Sequence, residues 1–294
     1  FIQAKLEEKN LVPSPGADRH TLIRRAYFDL IGMPPTPDQV TAFVADKSPA
    51  KREKLIDELI ARPEFVRIWV MKWAELLQIR TQNNNFYYKN AVLYFEWLRD
   101  QFEQNQPMDK IVRELLGARG GTFSNPAGNF YQVERDTQKL TENAAQIFMG
   151  MRIQCAQCHN HPFDRWTMDD YYSFSAFFAQ VGRKTREDNR ETIIYNRRSG
   201  GVRHIVGNRD MPPKFLGAGG PEITKDANGK MRSGFPLKSG EDRRIALANW
   251  LASPKNPFFA KNMANIVWGH FMGVGIVEPV DDVRISNPPS NPEL

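Results

Sequence analysis

Proline sets the frame of this chain. From residue 1 to about residue 180, apolar residues recur at the three- and four-residue spacing of a helix face, and prolines fall where one such stretch gives way to the next. Proline lacks an N–H and so breaks a helix interior, yet it costs nothing in the first turn, where that donor has no intrahelical partner. The spacing predicts helices over 18–31, 37–45, 49–61, 63–79, 92–102 and 108–116. Leu22, Ile23, Ala26, Phe28 and Leu30 give the first its apolar positions, and Gly32 with Pro34 and Pro35 ends it. A further helix is expected over 138–153, with Leu140, Ala144, Ile147, Phe148 and Met151 near one face. Thr167-x-x-Asp170 then reads as a capping box opening an aromatic helix that carries Tyr171, Phe174, Phe177 and Phe178. The fold class is mainly α, an irregular multi-helix array.

Beyond Gly182 the pattern changes. Residues 191–196 and 202–206 are β-prone and flank Arg-Arg-Ser-Gly-Gly, which predicts a small β-hairpin near 191–206. The Gly-, Lys- and Asp-rich stretch 217–240 reads as a linker or surface excursion, after which helical spacing returns. The expected organisation is a helical domain over 1–216, the excursion, and the start of a companion helical domain over 241–294.

At 294 residues and 41% hydrophobic, the chain can bury a sizeable core. The net charge of +6 arises from 40 Lys and Arg set against 34 Asp and Glu mixed along the chain, a pattern that argues against a nucleic-acid partner. No run approaches the roughly 18–20 apolar residues of a membrane span. Phe1 opens straight into an amphipathic pattern, so a removed signal peptide is the expectation, and the stop at Leu294 suggests a longer natural protein.

Cysteine occurs only at 155 and 158, so no disulfide framework is available and the pair must act locally. Cys155-Ala-Gln-Cys158-His159 is the C-x-x-C-H pattern of covalent haem attachment, in which two thiols add to the porphyrin vinyls and the adjacent imidazole becomes the proximal iron ligand. Thiols three apart on a tight turn fall on one side of the chain, which is what that chemistry needs. Two alternatives remain open. One is a structural zinc site of Cys155, Cys158 and two of His159, His161 and His204. The other is a dithiol redox pair.

The residues from Arg152 to Gln180, including Cys-Ala-Gln-Cys-His-Asn-His-Pro-Phe-Asp-Arg-Trp and Ala-Phe-Phe-Ala-Gln, resemble the planctomycete-type cytochrome-c-like domain family, a domain of unknown function. Leu-Ile-Arg-Arg-Ala-Tyr-Phe-Asp-Leu-Ile-Gly-Met-Pro-Pro-Thr-Pro at 22–37 is similar to its N-terminal signature, and 265–294 resembles the start of its usual companion domain. Ile266 and Val274 stand where the companion pattern has arginines. The resemblance implies an exported protein, periplasmic or at the cell surface.

These readings converge on an exported monohaem c-type protein, an electron-transfer module with a redox partner protein and a place in a larger assembly. A haem enzyme with an open distal site and a structural or assembly protein are the alternatives. His204 and Met211 are the candidate distal iron ligands; His161 lies too close to His159 to reach the far face and is expected to bond locally. Phe148, Trp166, Tyr171, Tyr172 and Phe174 are expected as walls or hydrogen-bond partners of the cofactor, or else as core. Arg165 is a candidate partner for Asp164 or a propionate, His270 is expected in the core, and His20 is expected to be exposed. Removing both thiols is expected to abolish haem attachment and to unfold the region 138–180.

Overall fold

The computed structural model describes residues 1–80, 86–217, 223–225, 231–233 and 241–294. Helices dominate, with small antiparallel sheets between them. The chain divides into two compact units, one of 1–73 with 289–294 and one of 74–288.

The first unit holds α1 (Ile2–Glu8), α2 (Arg19–Ile31), α3 (Pro37–Ala45), α4 (Lys51–Ile60) and most of α5 (Pro63–Leu76). The punctuation works as its chemistry requires. Asp18 caps α2 by accepting from the N–H groups of His20 and Thr21, and Gly32 ends it in the left-handed conformation at φ 70°. Thr36 and Gln39 form a reciprocal capping box with Pro37 in the first turn of α3. Ile23, Tyr27, Leu30, Ile31, Phe43 and Leu59 close a core between α2, α3 and α4.

The second unit begins with α6 (Tyr88–Glu103) and α7 (Met108–Gly117), then β1 (Gly120–Gly121) and α8 (Phe130–Val133). Next come α9 (Thr137–Met149) and α10 (Met168–Ser175). The aromatic residues expected on α10 and just beyond it are core: Tyr171, Phe174, Phe177 and Phe178 are all essentially inaccessible. Each such ring contributes about 1.5–3 kcal/mol through the apolar area it removes from water.

The β segments fall where the sequence is β-prone, but their pairing differs from the expected hairpin. β2 (Val181–Thr185) pairs antiparallel with β3 (Thr192–Asn196), from Val181↔Asn196 to Thr185↔Thr192, and β1 adds on the other side of β3. β4 (Val202–Arg203) pairs with β5 (Asp210–Met211) instead. The physical reason lies in the connections: 186–191 makes a short return from β2 to β3, held by Arg186 N donating to Glu191 O, whereas 197–201 leads away to a second small ladder. Within the predicted excursion, β6 (Ile223–Lys225) pairs with β7 (Met231–Ser233); residues 218–222, 226–230 and 234–240 lie outside the described residues.

The unit closes with α11 (Arg243–Leu251) and α12 (Phe259–Met272). α11 packs on α7, which turns Ile111, Val112, Leu115 and Leu116 inward, while α12 packs on α9. Among the described residues no helix is long and apolar enough to cross a membrane.

Candidate functional site

The helix expected over 138–153 stops four residues early. Gly150, left-handed at φ 66°, ends α9, with its N–H on Gln146 O and the Met151 N–H on Ala145 O. Cys155 therefore lies on a separate short 3-10 helix, Gln154–Gln157, with Cys158 as its C-cap, rather than at the end of α9.

That change of helix type sets the site. A 3-10 helix has three residues per turn, so positions three apart eclipse one another. Ile153 and Ala156, both fully buried, anchor the inner side, while Cys155 and Cys158, exposed and not bonded to each other, share the outer one. The Cys155 carbonyl accepts from the N–H groups of Cys158 and His159, each at 3.4 Å, which closes the turn. His159 follows into solvent with Nδ1 2.7 Å from Asn160 O. A carbonyl oxygen only accepts, so Nδ1 carries the proton and the Nε2 lone pair is left for a ligand role.

The next loop is bonded within itself. His161 N donates to Trp166 O at 2.8 Å, and His161 Nδ1 accepts from Phe163 N, the local role expected of it. Asn160 Oδ1 accepts from Met168 N at 3.1 Å, tying the motif to the start of α10. There Thr167 and Asp170 make the expected capping box, and Lys214 reaches Asp170 at 2.8 Å. Burial alone would push the Asp170 carboxyl up; the bonds from Lys214 and Thr167 outweigh it and hold the group below the usual carboxylate range.

The aromatic residues take separate places. Tyr172 touches the motif: its hydroxyl donates to Gln157 O at 2.8 Å, and burial, with Cys158 adding in the same sense, pushes the phenol up. The Tyr171 hydroxyl donates instead to Glu142 at 2.7 Å. Phe148 packs on Phe130, and Phe174 on Phe177. Trp166 is buried edge-on to Phe258, its Nε1 without a hydrogen-bond partner among the described residues, and the Arg165 guanidinium covers its ring at 4.7 Å.

His204 is buried, with its ring against Tyr172 at 4.9 Å between centroids. Its Nδ1 sits within 3.0 Å of the Val206 N–H and 2.8 Å of Val206 O. Nε2 lies 3.1 Å from Asp169 Oδ1 but off the hydrogen-bonding direction, and has no hydrogen-bond partner among the described residues. Met211 is buried opposite Val202. His270 is half-buried against Phe271, and His20 is exposed beside Asp18. Among the described residues no group of three or more His, Cys, Asp or Glu side chains is gathered closely enough to hold a metal ion.

Support from the C-terminal part was not legible in the sequence. Asp281 binds Arg152 at 2.6 Å and also accepts from Gln146; Val283 N donates to Gly150 O at 2.7 Å; Asn262 Nδ2 donates to Ile147 O at 2.8 Å. These contacts clamp the end of α9 just before the thiol turn. No local spacing signals them, because the partners lie more than a hundred residues apart.

Fold and site together define a mainly α protein that presents a C-x-x-C-H turn to solvent. The chain belongs to the family described as PSCyt2: Protein of unknown function (DUF1549), whose model matches residues 1–183, more than half of it. Residues 243–294 match a companion family, PSD1: Protein of unknown function (DUF1553). No curated protein and no solved structure matches the chain.

Proposed function

We propose that this chain is an exported monohaem c-type protein, with haem held through Cys155 and Cys158 and its iron ligated by His159, passing electrons to a partner protein as one module of a periplasmic or cell-surface oxidoreductase system. The observation that carries the reading is the outer side of one 3-10 turn: two exposed thiols, not bonded to each other, followed at once by an exposed imidazole held through Nδ1 at Asn160 O. Those donors suit thioether attachment and axial ligation. A haem bound there supplies one-electron exchange at iron. The chain's own residues hold the thiols on one side, orient the imidazole through Asn160 O, and brace the turn through Tyr172. Export comes with the reading from the family resemblance.

A second reading, a haem enzyme with an open distal side, is favoured by the state of the two candidate distal ligands. His204 and Met211 are both buried, and His204 Nδ1 is bonded to Val206. The zinc alternative has no such support, since it needs further ligands beside the two thiols.

The test is spectroscopic. The chain made in a host that matures c-type haem is denatured and its pyridine haemochrome recorded together with its intact mass. One haem retained through denaturation is expected; a colourless chain, or one carrying only zinc, sinks the proposal. Rapid carbon monoxide uptake by the reduced chain then selects the open distal side over a six-coordinate carrier.

A further inference from the structure

Three apolar residues, on loops tied to the thiol turn, are left in water. Ile205 is 67% exposed, Val206 64% and Phe163 61%. A single exposed aliphatic residue needs no explanation. Here two sit side by side at the tip of a six-residue loop, 204–209, between β4 and β5, and the loop is held firmly. Gly207 at φ 77° and Asn208 at φ 45° take the left-handed conformations that close it, and His204 N donates to Arg209 O at 2.9 Å. Asp169 on α10 binds Arg209, and its Oδ1 lies 3.1 Å from His204 Nε2.

The position of the loop follows from a chain of contacts. Its His204 ring rests on Tyr172, and the Tyr172 hydroxyl reaches Gln157 O, between the two cysteines. Phe163 sits four residues past His159, in the loop closed by His161 and Trp166, with the Arg284 guanidinium 5.7 Å from its ring. Exposed apolar residues on tied-down loops, joined to the thiol turn through Tyr172 and the chain itself, suit a flat hydrophobic ligand anchored by the two thiols.

The geometry points to Ile205, Val206 and Phe163 as a preformed apolar wall for the macrocycle attached at Cys155 and Cys158, with the 204–209 loop as its ledge. This inference rests on the haem proposal and adds residues that the C-x-x-C-H pattern does not contain. Such a wall keeps water from the haem and thereby disfavours the more highly charged ferric form, so its loss lowers the midpoint potential.

The test uses the whole chain in two preparations, matured with haem and made without it, after the pyridine haemochrome has scored attachment. Ring currents in the diamagnetic ferrous carbon monoxide form are expected to move the Ile205 and Val206 methyl resonances well away from their positions in the haem-free chain. The Ile205→Ser/Val206→Ser variant, altered only at exposed positions, is expected to retain haem and show a lower midpoint potential. Unmoved methyls or an unchanged potential in a chain that carries haem overturn the wall and leave attachment standing. A chain that carries no haem overturns both.

Discussion

Tyr172 is the side chain on which the motif and its surroundings meet. It packs on Tyr171 and His204, and its hydroxyl caps the Gln157 carbonyl. Tyr172→Phe keeps the ring and removes one buried hydrogen bond, which should cost about 1 kcal/mol in a urea melt and speed amide exchange at Cys158 and His159. Exchange unchanged at those two positions would count against this bracing role. Asp170 carries a pH signature. Its folded carboxyl lies below the ordinary value of 3.8, so its contribution is present above that value and lost as pH falls through the lower folded one. Asp170→Asn should therefore destabilise by about 1 kcal/mol at pH 7 and flatten the acid limb of the stability profile. The cysteines themselves are exposed, and Ile153 and Ala156 do the packing. The expectation that losing both thiols unfolds 138–180 is thus revised: Cys155→Ala/Cys158→Ala should abolish covalent haem while keeping the wild-type far-ultraviolet circular dichroism.

At the scale of elements, the stop of α9 places the site. Gly150 is doubly constrained: its φ is positive, and a Cβ there would come 2.5 Å from Asn262 Oδ1 on α12. Gly150→Ala should cost more than the roughly 1 kcal/mol of a left-handed alanine, because it also pushes α12 away. A thermal melt within a degree of the parent would refute this. The β segments teach a related lesson. Residues 192–196 and 202–203 are strands as their composition suggests, yet each pairs with a partner other than the one expected. Strand propensity is local; register depends on which connection can close, and that is settled by neighbours.

Over the whole chain, the parts matched by the two families meet within one compact unit. Arg244 on α11 is inaccessible, binds Asp242 through both carboxylate oxygens, and donates to Ala118 O just past α7. Burial pushes the Asp242 carboxyl up, but the Arg244 bonds prevail and hold it low. Arg244→Met leaves Asp242 buried with Arg119 as its one charged partner among the described residues, and should destabilise the unit by about 3 kcal/mol in chemical denaturation. A loss below 1 kcal/mol would show that the pair is not what joins α11 to α7.

By itself, the sequence determined what local chemistry decides. Proline and glycine positions and helical spacing set nearly every helix of the first unit, because capping and φ restriction act within a few residues. The C-x-x-C-H spacing likewise marks the reactive pair, since two thiols three apart are neighbours on any tight turn. Only the tertiary structure decided the rest: the 3-10 turn that faces both thiols outward, the clamp from Asp281, Val283 and Asn262, and the loop that carries Ile205 and Val206 beside Tyr172. Those depend on contacts between distant parts of the chain, whose energies come from burial and shape rather than from any nearby residue pattern.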